Sequence, residues 1–419
     1  MTLLPDTAAV EDGELTVGGI AASELAERFG TPLLVYCEQT LLAAGGAYRK
    51  AAADALLLYS VKAFPSLALL RLFAAEGFGA DVSSLGELAY ARKAGIPGER
   101  IVVHGNNKSD EELRTAAEAG ARFVVIDALD EIPRAAEAGV RRSLVRVTPG
   151  IEADTHPAIR TAHHGSKFGL PPDQALAAIE EARAAGLELA GLHLHIGSQL
   201  LDPRAGLESI DWLGEYAARA RDELGWVPSV VDLGGGLGIP YLEGDPAPAI
   251  PEFVESLLGR LKHAWPGDPP EVILEPGRSL VGRAGLTLYR VGVVKRASED
   301  VTYVAIDGGM SDNPRPQLYG ARYTALLANR ADEEPAGPYD VCGKHCESGD
   351  VLIEGASLPE PGRGDLLAVP GTGAYTLAMG SNYNSVPRPA AVLVGSGEAS
   401  LIRRRETLDD LLRYEETNG

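Results

Sequence analysis

The chain predicts an α/β fold in which a TIM-like (β/α)₈ barrel precedes an all-β domain. Three observations carry that prediction. From about residue 55, eight short apolar runs alternate with alanine-rich amphipathic segments. Polar residues and glycines gather at the C-terminal ends of those runs. After about residue 284 the helical periodicity stops, and short apolar runs are separated by Gly, Pro and Asp. Parallel barrel strands are buried on both faces and so read as continuous apolar stretches. The alternative, an open doubly wound sheet, usually has fewer strands and carries its glycine fingerprint at the first turn, whereas here the glycines cluster near the seventh run.

A chain of 419 residues exceeds one ordinary domain. Residues 1–36 read as an N-terminal segment packing with the β domain, 37–283 as the barrel and 284–419 as the β domain. The barrel strands are expected at 56–63, 79–83, 100–105, 122–127, 143–149, 189–197, 230–236 and 271–277. Helical patterns lie between them at 110–118, 174–185, 204–224 and 250–264. Ser84-Leu85-Gly86-Glu87 and Ser109-Asp110-Glu111-Glu112 carry capping-box signatures at helix starts. In the β domain, strands are expected at 286–295, 301–306, 339–342, 351–353, 365–369 and 390–394, with no long helix among them. The last dozen residues are polar and are expected to fray.

Composition, 45% hydrophobic and 23% charged, suits a large buried core. A net charge of −21 argues against general affinity for nucleic acid or an anionic membrane. No basic-then-apolar leader and no membrane-spanning apolar stretch is visible. Cys37, Cys342 and Cys346 cannot make a disulfide framework and fit a reducing, cytoplasmic setting.

Barrel enzymes place their chemistry at the C-terminal strand ends. Lys62 stands alone at the end of the first run. Leaving a buried strand, it is expected to be poorly solvated, which frees an amine to form a Schiff base with a carbonyl compound. A lysine that only caps the strand and snorkels to water is the plainer alternative. Asp81, His104, Asp127 and Arg146 occupy the next ends. His193 and His195 close the sixth run and share a strand face. They suggest either a metal, for which no third ligand is evident nearby, or an imidazole stacked on a cofactor ring, with His195 the nearer to the rim and His193 a hydrogen-bonded core residue. Gly234, Gly235 and Gly236 follow the seventh run, where barrels commonly hold phosphate on backbone N–H groups. Glu275-Pro276-Gly277-Arg278 ends the eighth: an arginine for phosphate or carboxylate, and a glutamate to keep a pyridine nitrogen protonated, or else a surface ion pair. Cys342, His345 and Cys346 invite a zinc reading, but structural zinc wants four ligands, and a thiol beside carboxylates suits a proton donor better.

Taken together, Tyr59–Ala63, Asp81–Leu88, His104–Lys108, Gly165–Gly169, His193–Gln199, Asp232–Gly238, Glu275–Arg278, Asp307–Met310, Arg315–Tyr319, Cys346–Asp350 and Gly373–Tyr375 resemble the fold-type III pyridoxal-phosphate decarboxylases, most closely those acting on meso-diaminopimelate. The segments run in that family's order from residue 59 to 375. The resemblance implies an alanine-racemase-like barrel with a C-terminal β domain, pyridoxal 5'-phosphate as cofactor, and decarboxylation of an amino-acid substrate to L-lysine; from the residues above, no metal site is expected. It implies that Lys62 binds the cofactor aldehyde and His195 stacks on its ring. Ser198, Gly234, Gly235, Gly236, Pro276, Gly277 and Arg278 would cradle the phosphate, and Glu275 would face the ring nitrogen. Arg278, Arg315 and Tyr319 would take a distal substrate carboxylate, Glu347 a distal amine, and Tyr375 phosphate or substrate. Cys346 would be the proton donor. In relatives Cys346 and Glu347 arrive from a partner subunit, so the resemblance implies a homodimer with shared active sites. The sequence departs from a frequent family pattern, Gly-Pro-x-Cys, with Gly343-Lys344-His345-Cys346. Ornithine, arginine, lysine or carboxynorspermidine are the competing substrates, and a catalytically inert cofactor carrier is the competing class.

Overall fold

The computed structural model describes residues 3–150, 166–195, 197–246 and 249–416. It divides the chain into two compact units: Ala44–Gly238 with Pro246–Ser279, and Met1–Ala43 with Ile239–Asp245 and Leu280–Gly419.

The first unit is the barrel. Its strands are β1 (Leu56–Ser60), β2 (Gly79–Val82), β3 (Ile101–Val103), β4 (Phe123–Ile126), β5 (Arg142–Arg146), β6 (Glu188–His193), β7 (Val230–Asp232) and β8 (Glu271–Leu274). Each pairs in parallel with the next and β8 returns to β1, closing the sheet as the alternation of runs predicts. Leu58, Val102, Phe123, Val125, Leu144, Ala190, Val230 and Ile273 fill a common core. Burying a Leu, Val, Ile or Phe there stabilises by about 1.5–3 kcal/mol each. This is why the strands read as unbroken apolar runs.

Parallel register levels the strand ends. Ser60 sits opposite Asp81, and Arg146, His193 and Asp232 line up across β5, β6 and β7. Polar residues far apart in the chain are thereby brought to one height.

The helices Asp110–Glu118, Arg204–Leu224 and Ile250–Ala264 have the expected bounds, and Pro172–Ala184 lies within two residues of them. Ser109 completes its capping box: Glu112 N donates to its hydroxyl at 3.1 Å, and Ser109 N donates to Glu112 Oε2 at 2.8 Å. The box expected at Ser84 forms only in part. Glu87 N donates to Ser84 Oγ at 3.3 Å, but the Glu87 carboxylate reaches one residue farther, to Ser83 N at 2.7 Å. The first strand also ends earlier than expected. The chain leaves β1 at Ser60 and makes a single 3₁₀ turn, Val61–Ala63.

The second unit is built on a nine-stranded sheet. Its central strand, Gly285–Arg296, pairs antiparallel with Leu33–Cys37 and Leu366–Pro370 along one half and with Thr302–Ile306 along the other. Leu33–Cys37 also runs parallel to Ala390–Gly395, so the N-terminal segment contributes a strand to this sheet. Leu33, Val35, Leu286, Leu288 and Val392 pack in one core, and Tyr241, Tyr289, Tyr323 and Leu367 in another. Two short helices, Arg315–Tyr319 and Leu408–Leu412, and the strand Glu398–Arg403 depart from the sequence expectation. The helices span little more than one turn, too short to print a period. Leu408–Leu412 forms within the stretch expected to fray because Thr407 and Asp410 make a reciprocal capping box.

Candidate active site

Lys62 lies on the turn after β1, with its Nζ 3.0 Å from Asp81 Oδ2. Its side chain is 45% exposed. The expectation of a poorly solvated lysine is therefore corrected: two residues past the strand end, the amine stands at the rim and meets a carboxylate. Asp81 itself is buried and also accepts the Ser60 hydroxyl at 2.5 Å. Burial alone would raise the Asp81 carboxyl, but Lys62, His104 and Ser60 outweigh it and bring it down to about 2.

Beneath this pair lies a buried cluster. His104 Nε2 is 2.5 Å from Glu275 Oε1 and 3.7 Å from Asp81 Oδ1, while His193 Nε2 is 3.8 Å from Glu275 Oε2. The His104 and His193 rings meet edge to face at 4.8 Å. Donor atoms of His104, His193, Asp232 and Glu275 all fall within 4.8 Å of one another. The sequence showed no third ligand near the two histidines. The fold supplies further donors, from β7 and from the ends of β3 and β8. His193 is buried as expected, but its ring nitrogens make no hydrogen bond, which corrects the hydrogen-bonded reading. Burial, then the neighbouring His104 and Arg146, hold His193 well below the usual histidine range. Burial, then the Glu275 charge, push the Asp232 carboxyl well above its ordinary range.

Above the cluster three loops run together. Leu200 N donates to Gly236 O, and Gly238 N to Leu200 O, each at 2.9 Å, joining the loops after β6 and β7. Glu275 N donates to Gly234 O at 2.8 Å, joining the loops after β7 and β8, and Ser60 N, at the last residue of β1, donates to Pro276 O at 3.1 Å. A Cβ on Gly235 would lie 2.4 Å from Glu275 O, so the close approach demands glycine. Gly235 N donates to His195 Nδ1 at 3.3 Å. Desolvation, then the Lys62 and Arg146 charges, lower the His195 imidazole to about 3, so it is neutral at physiological pH. Arg278, buried on the turn after Gly277, donates from Nη2 to Ser198 Oγ at 3.0 Å. Glu275 and Arg278 are both buried, so a surface ion pair is not their arrangement. Gly165 and Ile196, within two of the segments that carry the resemblance, lie outside the described residues.

These residues fit pyridoxal phosphate. Glu275 Oε1, His104 Nε2 and Asp81 Oδ1 are buried polar atoms that make no hydrogen bond, a glycine loop leaves no room for a Cβ, and an arginine is held by a serine beside it. Sequence reasoning placed Asp81 and His104 at strand ends and His193 in the core, but gave them and Asp232 no specific role. The signal was their place at strand ends that parallel register makes level.

In the sheet unit, Cys346 and Glu347 are exposed on a turn whose frame is Asp350. Asp350 Oδ1 accepts Met310 N at 2.7 Å, and Oδ2 accepts His345 N at 3.0 Å and lies 2.6 Å from His345 Nδ1. Gly343 is forced by the same group, since its Cβ would lie 2.0 Å from Asp350 Oδ2. Cys346 N donates to Asn384 Oδ1 at 2.8 Å, and the Tyr383 hydroxyl to Glu347 Oε2 at 3.5 Å. Arg315 is buried against tyrosines. Its guanidinium lies 4.6 Å from the Tyr241 ring centre, and Nη1 donates to the Tyr323 hydroxyl at 2.5 Å. Tyr319 and Tyr375 are half-buried, and Tyr375 has φ +59°, a left-handed conformation uncommon for its type.

The family model of the pyridoxal-binding domain of pyridoxal-dependent decarboxylases matches residues 39–282. The diaminopimelate decarboxylase of Actinosynnema pretiosum subsp. auranticum is 44% identical over 99% of this chain and 95% of its own. That of Bacillus subtilis (strain 168) is 43% identical over 97% of this chain and 96% of its own. The solved diaminopimelate decarboxylase of M. jannaschii, crystallised with L-lysine, is 34% identical with a TM-score of 0.91 and covers 98% of both chains. With a matching model over more than half the sequence and relatives above 40% identity along nearly all of it, the chain belongs to the pyridoxal-dependent decarboxylases.

Proposed function

We propose that this enzyme is a carboxy-lyase that converts meso-2,6-diaminopimelate to L-lysine and carbon dioxide, using pyridoxal phosphate. The observation that carries the reading is Lys62, an amine at the end of β1 set 3.0 Å from Asp81 on the rim that also holds Glu275 and the glycine loop. When bound, pyridoxal phosphate supplies an aldehyde that takes an amine and a ring that accepts the electron pair left by departing carbon dioxide.

Lys62 Nζ would be the amine that engages the aldehyde, oriented by Asp81. Glu275 would hold a proton at the ring nitrogen. His195, neutral, would face the ring without adding a competing charge. Gly234, Gly235 and Gly236, with Ser198 and Arg278, would cradle the phosphate, while Pro276 and Gly277 would shape the corner. Cys346 Sγ delivers a proton to the substrate α-carbon, and Glu347 pairs the distal ammonium. Arg278, Arg315 and Tyr319 receive the distal carboxylate, and Tyr375 contacts phosphate or substrate. A simple diamino acid would leave Arg315 without its anionic partner, and sites built on such pairs reject ligands that lack the charge. Cys346 and Glu347 serve the site of a second copy, so the working unit is a homodimer. The chemistry and the three cysteines outside any disulfide agree with a cytoplasmic location.

Lys62→Ala protein should neither show visible absorbance from bound cofactor nor release carbon dioxide from diaminopimelate. Full turnover in that variant refutes the assignment. A competition assay against ornithine, arginine and lysine checks the substrate, because the distal carboxylate sets diaminopimelate apart.

A further inference from the structure

Glu275 and Lys62 act at opposite ends of one cofactor, and a single side chain faces the partners of both. His104 follows β3 and is 7% exposed. Its Nε2 lies 2.5 Å from Glu275 Oε1 and 3.7 Å from Asp81 Oδ1. Asp81 Oδ2 in turn receives Lys62 Nζ at 3.0 Å. Glu275, His104, Asp81 and Lys62 thus form a continuous side-chain path from the end of β8 to the turn after β1. Among the described residues, His104 Nε2, Glu275 Oε1 and Asp81 Oδ1 are all buried and make no hydrogen bond. Buried polar atoms in such a position are costly unless a proton is shared among them.

We propose that His104 is a positioning residue that places a proton between Glu275 and Asp81 and thereby couples the acid at the ring nitrogen to the amine at the aldehyde. The proposal deepens the functional reading above and rests on its placement of Glu275 and Lys62. The other groups around His104 leave it this role. From β6, the His193 ring stands 4.8 Å away and is kept neutral, first by burial. From β7, Asp232 holds its proton, first through burial. From β5, Arg146 is turned to Asp127 at 3.7 Å. Lys62 and His195 act on the group from the rim. Among the described histidines of this cluster, only His104 pairs with both Glu275 and Asp81, while Asp232 also hydrogen-bonds Glu275. A change in proton content at Glu275 is therefore felt at Asp81, the carboxylate that orients Lys62.

The test uses the full-length protein stripped of cofactor and titrated with pyridoxal phosphate, binding being followed by quenching of tryptophan fluorescence between pH 6 and 9. His104→Phe should weaken binding roughly 10- to 100-fold, the worth of a hydrogen bond to a charged group. It should also move the pH dependence of the bound cofactor's absorbance. His104→Gln, which keeps an N–H donor, should restore most of the affinity. Asp81→Asn breaks the path at its middle and should shift the same pH profile, which keeps the proposal testable where His104→Phe does not fold. Wild-type affinity and an unmoved profile in His104→Phe overturn it. So does a loss of affinity with no pH shift and no recovery in His104→Gln, the pattern of a merely structural histidine. Failure of the wild-type protein to bind pyridoxal phosphate overturns the functional reading itself and the coupling with it.

Discussion

The barrel rim and the Cys346 turn hold their polar groups in opposite ways. In the barrel, strand register fixes Asp81, His193 and Asp232, and the loops above them are tied by backbone hydrogen bonds. In the sheet unit, one buried carboxylate, Asp350, holds the turn that exposes Cys346 and Glu347. The electrostatics follow pairing within each region, since in the barrel Asp232 is raised beside a lowered Asp81. Asp81 is lowered to about 2 because its charge is paired. Asp312, buried in the sheet unit, is raised to about 7, first by burial and despite accepting the Tyr289 hydroxyl and Gly309 N. Groups placed by strands can be packed dry against each other, whereas a loop-borne site depends on a few anchors.

The largest expected effect tests that electrostatic contrast. An acid whose folded-state value is raised binds more protons folded than unfolded, so stability falls as pH rises from about 4 to about 7. Asp312 should account for about 4 kcal/mol of that loss, from the displacement between its ordinary value and 7. Asp81 acts with the opposite sign: its contribution is present above its ordinary value and is lost as pH falls toward 2. Urea unfolding across this range should show the decline in the wild-type protein and a flatter profile in Asp312→Asn. An unchanged slope in the variant would remove Asp312 as the source.

Asp350→Ala comes next, and it separates the two anchoring schemes. It strands the N–H groups of Met310 and His345 and should cost about 3 kcal/mol. Turnover should drop while cofactor absorbance stays at the wild-type level, because Lys62, Glu275 and the glycine loop belong to the barrel unit. Loss of cofactor in Asp350→Ala would erase the distinction. Gly235→Ala is the converse. Its Cβ would press on Glu275 O from 2.4 Å, which should weaken cofactor binding by roughly tenfold or more, about 1.4 kcal/mol or above. Titration of the cofactor-free protein measures it.

The contrast also explains what the sequence disclosed. Eight apolar runs announce the barrel because burial on both faces leaves no room for polar residues, and the helix Arg204–Leu224 is legible because six turns print a period. Lys62, Glu275 and the glycine loop stand out because each interrupts or ends such a run. The Asp81–His104–Glu275 cluster was hidden, since its members lie on separate strands and only the closed register levels them. Asp350 was equally hidden. It reads as one acid in a polar loop, and nothing local shows that its oxygens reach back to Met310. The helix Arg315–Tyr319 gave no period, and its role as a platform for buried Arg315 depends on Tyr241 and Tyr323, far from it or beyond it in sequence.

The smallest effect concerns Lys344, where the chain departs from the frequent proline. The Lys344 side chain is exposed, but its N–H donates to Gly308 O at 3.0 Å, tying the Cys346 turn to the segment that leads into Arg315. Proline has no such donor. Lys344→Pro should therefore cost about 1 kcal/mol through the lost hydrogen bond, while Lys344→Ala, which keeps it, should stay within about 0.5 kcal/mol of wild type. The difference between the two variants in urea midpoint isolates the backbone contribution from the side chain. If both match the wild-type protein, the Lys344 N–H is not among the anchors of the turn, and Asp350 and the Cys346–Asn384 bond are left to hold it.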